Sequence, residues 1–336
     1  MKFSKNCSTN PALAFAALAV SITALQATPT VDPLFAGAYS ITSLGVPNVP
    51  TDFGGLLVNP ADPNSLMLVG QANRDEAAIY DLPLTRDAGG HVTGFAGPGT
   101  FRASAYGLTG GADGSLVLGP GGVLFYSSYP DNHIGQIKPG STAPDKLINL
   151  IPQTGVASSL GGLQFVPDGF PGAGRLKLAN YSVGRWYDAT VSPDGTGTYN
   201  VTVTPGEGLF LGGSFEGVFY VPIGSLVFPF PSVLIADYKY EEIAMFQVDA
   251  NGDPIPESRR TFISGLRGAE GITQDPVTGD LLVSTFGFGH NLYRIGGFNT
   301  PLSGDDPGQV PEPATSALLV SALSLGFLGR RLLRRA

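Results

Sequence analysis

Charge is scarce in this chain. Lys, Arg, Asp and Glu make up 14% of its 336 residues, against a usual share of about a quarter. Cysteine is nearly absent, with a single residue, Cys7. That excludes a disulfide framework within the chain, a cysteine-based zinc site and an iron–sulfur cluster. Basic residues are outnumbered 19 to 27, for a net charge of −8. A chain of that sign is not expected to bind nucleic acid through phosphates. The three histidines, His91, His133 and His290, are too far apart to form a metal motif by spacing. A Gly-x-Ser-x-Gly elbow, a phosphate loop and a dinucleotide fingerprint are all missing.

What is present is turn-forming residues beside apolar ones. Gly at 47 and Pro at 28 together are about 22% of the chain, against roughly 12% in average usage. Hydrophobic residues still reach 43%, too many for a disordered chain. Many turns and many short apolar elements predict an all-β architecture rather than a helical bundle.

The two ends read as addresses. Lys2 and Lys5 precede the apolar run Ala12 to Leu25, and Ala27 suits the residue before a cleavage site. Residues 1–27 are therefore expected to be a secretory signal, with Cys7 removed with it. At the other end, Val310-Pro311-Glu312-Pro313 is followed by the uncharged stretch Ala314 to Gly329. Arg330, Arg331, Arg334 and Arg335 come next. A 16-residue helix spans about 24 Å, which flanking leucines and snorkelling arginines can extend across a membrane. The positive-inside bias keeps the arginines cytoplasmic and the body outside the inner membrane.

This order of motif, apolar helix and basic cluster resembles the PEP-CTERM sorting signal of Gram-negative bacteria. The resemblance covers residues 310–336. It implies recognition by an exosortase, processing near Pro311-Glu312-Pro313, and a cell-surface or extracellular destination in bacteria that make exopolysaccharide or biofilm matrix. With both ends removed the body would carry about −13, from 13 basic and 26 acidic residues.

Between the ends lies a repeat. Gly followed by an aliphatic residue recurs at Gly55-Leu56, Gly107-Leu108, Gly162-Leu163, Gly217-Val218 and Gly271-Ile272. Each anchor leads to a turn and then to a mostly apolar second strand, such as Leu66 to Val69 or Val233 to Ala236. Among the turns is Ala112-Asp113-Gly114. A third strand follows, such as Ile134 to Ile137 or Ile243 to Phe246, and then a more polar fourth. Four strands in about 54 residues predict a β-propeller over residues 28–298. Five blades are expected, six being the alternative if residues 31–50 or 140–160 hold further strands. Tyr39 to Leu44 should complete the last blade and close the ring. Residues 299–309 read as a polar linker.

In such a ring the inner strands converge on a channel. One informative position precedes each anchor: Gly54, Tyr106, Gly161, Glu216 and Glu270. The other ends each second strand: Gly70, Ser127, Asn180, Asp237 and Thr285. Glu216, Glu270, Asp237 and Asn180 offer the oxygen donors that Ca²⁺ or Mg²⁺ prefers. Asp249 to Asp253 begins like a calcium loop, but position 12 is Arg260, so it reads as a polar hairpin. Trp186, Tyr129, Tyr181, Tyr238 and Tyr240 are expected to pack between blades, or to stack on sugar rings.

The run Glu270-Gly271-Ile272, then Leu281 to Val283 and Leu292 to Ile295, resembles blades of gluconolactonase and NHL-like propellers. The resemblance implies a divalent cation held in the channel by Glu270 or Glu216, with Asn180 and Asp237. The expected role is a non-catalytic surface or matrix module binding a glycan or another surface component. The alternative is a metal-dependent lactonase or esterase-like hydrolase.

Overall fold

The computed structural model describes residues 28–156 and 159–298. The segments expected to be a signal, a linker and a sorting tail with its apolar stretch therefore lie outside the described residues.

Five antiparallel sheets are arranged as the blades of one propeller. Their innermost strands are Leu56–Val58, Gly110–Leu118, Leu160–Phe165, Phe215–Tyr220 and Ala269–Gln274. The second strands are Ser65–Gly70, Leu124–Pro130, Leu176–Asn180, Ser232–Asp237 and Leu281–Thr285. The 140–160 region holds no sixth blade. It supplies the outer strand Lys146–Asn149 of blade two and a single helical turn, Ile151–Thr154.

The apolar runs are explained by alternation. Successive side chains point to opposite faces of a strand, and both faces of each blade are covered. Leu57 and Met67 of blade one pack with Leu116 and Leu124 of blade two. Leu56, Leu66 and Leu68 point the other way, to Leu282 and Leu292 of blade five. Separate clusters fill the other interfaces: Phe125 with Phe165, Phe215 with Trp186, and Phe219 with Leu281. Each fully buried Leu or Phe contributes about 2 kcal/mol by leaving water.

The ring is closed by the N-terminus. Strand Ser40–Gly45 pairs with Leu292–Gly296 as the outer strand of blade five, with Ile41 opposite Ile295. A second tie was not foreseen. Thr30–Val31 adds to the edge of blade four, with Val31 opposite Ile263. One segment thus fastens two blades.

One anchor of the repeat is misplaced in the sequence reading. Gly107-Leu108 and Tyr106 are not the channel position of blade two. Tyr106 instead makes an isolated bridge with Gly111. The channel position is Asp113-Gly114, which lies inside strand Gly110–Leu118 rather than at a turn. Between Ala112, opposite Ser128, and Leu116, opposite Tyr126, three residues face one. A smaller slip occurs at Phe215 and Val218, and another at Ala269 and Ile272. These bulges turn the preceding carboxylates toward the axis.

Glycine is required at the centre because the inner strands nearly touch. A Cβ on Gly217 would lie 2.5 Å from the Glu270 carbonyl oxygen, and one on Gly271 would lie 2.9 Å from that of Gly54. Two serines join blades at the same level. Ser127 Oγ accepts the Ser115 amide and donates to the Gly161 carbonyl of blade three. Ser284 Oγ accepts the Gly271 amide and donates to the Gly54 carbonyl of blade one.

Candidate metal centre in the channel

The five equivalent inner positions are Gly54, Asp113, Gly161, Glu216 and Glu270. Blades one and three supply only backbone there, which leaves room for the side chains of the other three. Asp113, Glu216 and Glu270 each offer a carboxylate oxygen, and these oxygens lie within 4.8 Å of one another. All three residues are 1–3% exposed. Both Asp113 oxygens, Glu216 Oε2 and Glu270 Oε1 have no hydrogen-bond partner.

Among the described residues no lysine, arginine or histidine pairs with any of the three. Burial therefore dominates their titration. It pushes the Asp113 carboxyl up to about 7. Glu216 and Glu270 are held well above the usual carboxylate range, first by burial, then by the charges of Asp113 and Asp237 on Glu216 and of Glu216 and Asp113 on Glu270. Left alone, such a cluster keeps protons near neutrality. A divalent cation would replace them.

The donor set fits such a cation. Two oxygens on one Ca²⁺ stand at most about 5 Å apart, given ligand distances of roughly 2.3–2.6 Å. Mg²⁺ usually keeps several waters, so an enclosed set of protein oxygens suits Ca²⁺ better. Asn73 sits beside Asp113 at a left-handed φ of 69°, its side-chain amide drawing that carboxyl down and its Oδ1 buried without a partner.

Of the residues read from sequence, Glu216 and Glu270 come together here. Asp237 is close enough to raise Glu216 by its charge, but its oxygens are engaged. Oδ1 accepts the Ser214 amide at 3.0 Å and Oδ2 pairs with Arg259 at 2.8 Å. Asn180 Oδ1 accepts the Val183 amide and the Ser182 hydroxyl, closing its own turn. Asp237 is not a member of the carboxylate cluster, and the Asn180 oxygen is engaged at its own turn. Sequence reasoning missed Asp113 and Asn73. The signal for Asp113 was its Asp-Gly pair, parallel to Glu216-Gly217 and Glu270-Gly271, which was read as turn chemistry.

Over the carboxylates runs a row of tyrosines from three blades. The Tyr129 and Tyr181 rings meet edge to face at 6.0 Å, and Tyr181 and Tyr238 at 5.9 Å. Burial, then the charge of Glu216, pushes the Tyr181 phenol up to about 12. Trp186 is not available to a ligand, since it is buried with its Nε1 donating to Asp253. The histidines do not gather. His91 meets Asp280, His133 lies by Asp131 and His290 by Asp52. The Asp249 loop is a hairpin in which Asp249 Oδ1 accepts the Asn251 and Asp253 amides.

No protein-family model and no curated protein matches the chain. Solved structures do match, at low similarity. One is a candidate 6-phosphogluconolactonase from Bacteroides uniformis, 15% identical with a TM-score of 0.40. That match covers 68% of this chain and 63% of the other, less than two thirds of its length. A second is a candidate oxidoreductase (glucose dehydrogenase) from Thermus thermophilus, 13% identical, TM-score 0.43, covering 76% and 99%. A third is an auxiliary nutrient binding protein from Bacteroides ovatus, 13% identical, TM-score 0.39, covering 76% of each chain. Likeness at this level carries no activity across to this chain.

Proposed function

We propose that this chain is an exported β-propeller that acts as a non-catalytic binding module, with a divalent cation, Ca²⁺ by preference, held at the centre of its channel. Asp113, Glu216 and Glu270 would ligate it, with Asn73 beside them. The observation that carries this reading is the set of three buried carboxylates without a cationic partner. The cation would tie blades two, four and five across the axis and place a positive charge under the Tyr129–Tyr181–Tyr238 row, where an oxygen-rich glycan or surface component could bind. The sequence of the tail supports the rest of the reading: an exosortase sorts the chain through Val310 to Pro313, after membrane insertion through residues 314–329. The hydrolase reading is weaker, because a catalytic cation keeps an open position for water and these carboxylates are almost wholly enclosed.

Calorimetric titration of the metal-free protein with CaCl₂ tests the cation. A stoichiometry of one is expected, lost in Glu216→Gln. Absence of heat or metal content at millimolar Ca²⁺ and Mg²⁺ would refute it. For the tail, Glu312→Gln should abolish surface display, and unchanged display would count against exosortase sorting.

A further inference from the structure

The two faces of the ring differ in chemistry. The second strand of each blade runs toward the carboxylate mouth, and Asp237 and Tyr238 stand where one of them arrives. The connections from first to second strand lie on the opposite face. In blade four that connection is residues 221–231, which expose apolar side chains. Leu34, Ile223, Leu226 and Phe230 are 56–62% exposed, and they border a groove of about 890 Å³.

The loop is stiff. Pro222, Pro229 and Pro231 restrict it, and the Ser225 and Phe228 amides close two turns within it. Val227 is held at a φ of 64°, which costs energy for a β-branched residue. A loop fixed in this way keeps its apolar side chains outward instead of folding them under.

The C-terminal end of the described chain leaves the body here. The last strand runs away from the mouth, antiparallel to Leu281–Thr285, and Phe298 follows it. The Phe298 ring lies 6.1 Å from that of Phe228, at the base of the loop. On the N-terminal side Phe35 stacks on Phe228 at 5.3 Å, and the Tyr39 hydroxyl donates to the Leu226 carbonyl at 2.6 Å. Outside the described residues, each end carries an uncharged apolar run, Ala12 to Leu25 and Ala314 to Gly329. Residues 299 to 313 separate Phe298 from the second run, and fifteen residues reach at most about 50 Å.

We infer that the face carrying Leu34, Ile223, Leu226 and Phe230 rests on the lipid bilayer while the chain is anchored. The propeller then stands with its carboxylate mouth directed away from the membrane, toward soluble ligand. The inference rests on the anchored-chain reading above for attachment to the membrane.

The test uses the full chain with Cys7→Ser, carrying a single bimane-labelled cysteine at Leu226→Cys or at Lys239→Cys on the mouth face. Each is reconstituted into phosphatidylethanolamine–phosphatidylglycerol vesicles with nitroxide-labelled lipid. Side chains seated about 5–10 Å into the interface should lose roughly half of their emission at position 226, with no loss at 239. Adding Leu34→Ser and Phe230→Ser should restore emission at 226. Chains that float with the vesicles but show no quenching at 226, or equal quenching at both sites, overturn the inference and leave the anchor intact. A label at 226 that changes only with protein concentration assigns the face to a second copy, and one that changes in vesicle-free solution assigns it to the chain's own apolar segment. Either result also overturns it. Chains that fail to float overturn the anchored reading and the inference together.

Discussion

Buried carboxylates occur in two settings in this ring, and they are treated in opposite ways. Away from the axis, between blades and within them, carboxylates are given cations. Lys177 is fully buried and bridges Asp188 at 2.8 Å and Asp253 at 2.6 Å, joining blades three and four. Arg86 of blade one holds both oxygens of Asp275 in blade five. Arg259 serves Asp237 and Glu242. At the axis, Asp113, Glu216 and Glu270 are buried as deeply as Asp237 and Asp275, and more deeply than Asp188 and Asp253, and receive none. An unpaired buried charge is costly enough to be retained only where something external compensates it. The difference separates carboxylates that hold the ring from carboxylates that wait for a ligand.

The largest expected effect breaks the first set. Lys177→Met removes the cation shared by Asp188 and Asp253, which keep Arg175 and the Trp186 indole as partners, and should cost about 2–3 kcal/mol in urea unfolding, with little change in calcium affinity.

Next comes pH, where the two sets have opposite signs. The axial carboxyls titrate higher folded than unfolded. Their contribution is complete below about pH 4 and is lost as pH rises through about 7 for Asp113, and through the raised pKa of each glutamate. The Asp188 carboxyl is held below its ordinary value by Arg175 and Lys177 despite partial burial, so its contribution is lost in acid. In chelator the melting temperature should therefore fall by several degrees between pH 5 and pH 8. Saturating Ca²⁺ should remove that fall, since a ligand at 100 times its Kd adds about 2.7 kcal/mol.

Glu270→Gln should sharpen the contrast. It removes one of three repelling charges, so the metal-free protein should gain about 1 kcal/mol at pH 8 while binding calcium far less well. Asp237→Asn should do the reverse, weakening the Arg259 pair by about 1 kcal/mol and changing calcium affinity little.

The fold was largely legible because it rests on local patterns. Apolar runs such as Leu281 to Val283, bounded by turns, announce strands buried on both faces, and Tyr39 to Leu44 lay where a closing strand was needed. The Thr30–Val31 tie was not legible, since two residues show no period. The site was half legible. Glu216 and Glu270 share a position that the repeat exposes. Asp113 does not, because two extra residues in its bulge shift the motif and Asp-Gly also suits a turn. Asp237 and Asn180 have the right chemistry, but only the fold shows Arg259 and the Val183 amide already occupying them.

The central claim is most directly tested by the calcium-induced shift in melting temperature at pH 8, in the wild-type chain and in Asp113→Asn. The account predicts an upward shift of several degrees in the wild type and almost none in the variant. Equal shifts in both, or no shift in either, would contradict it.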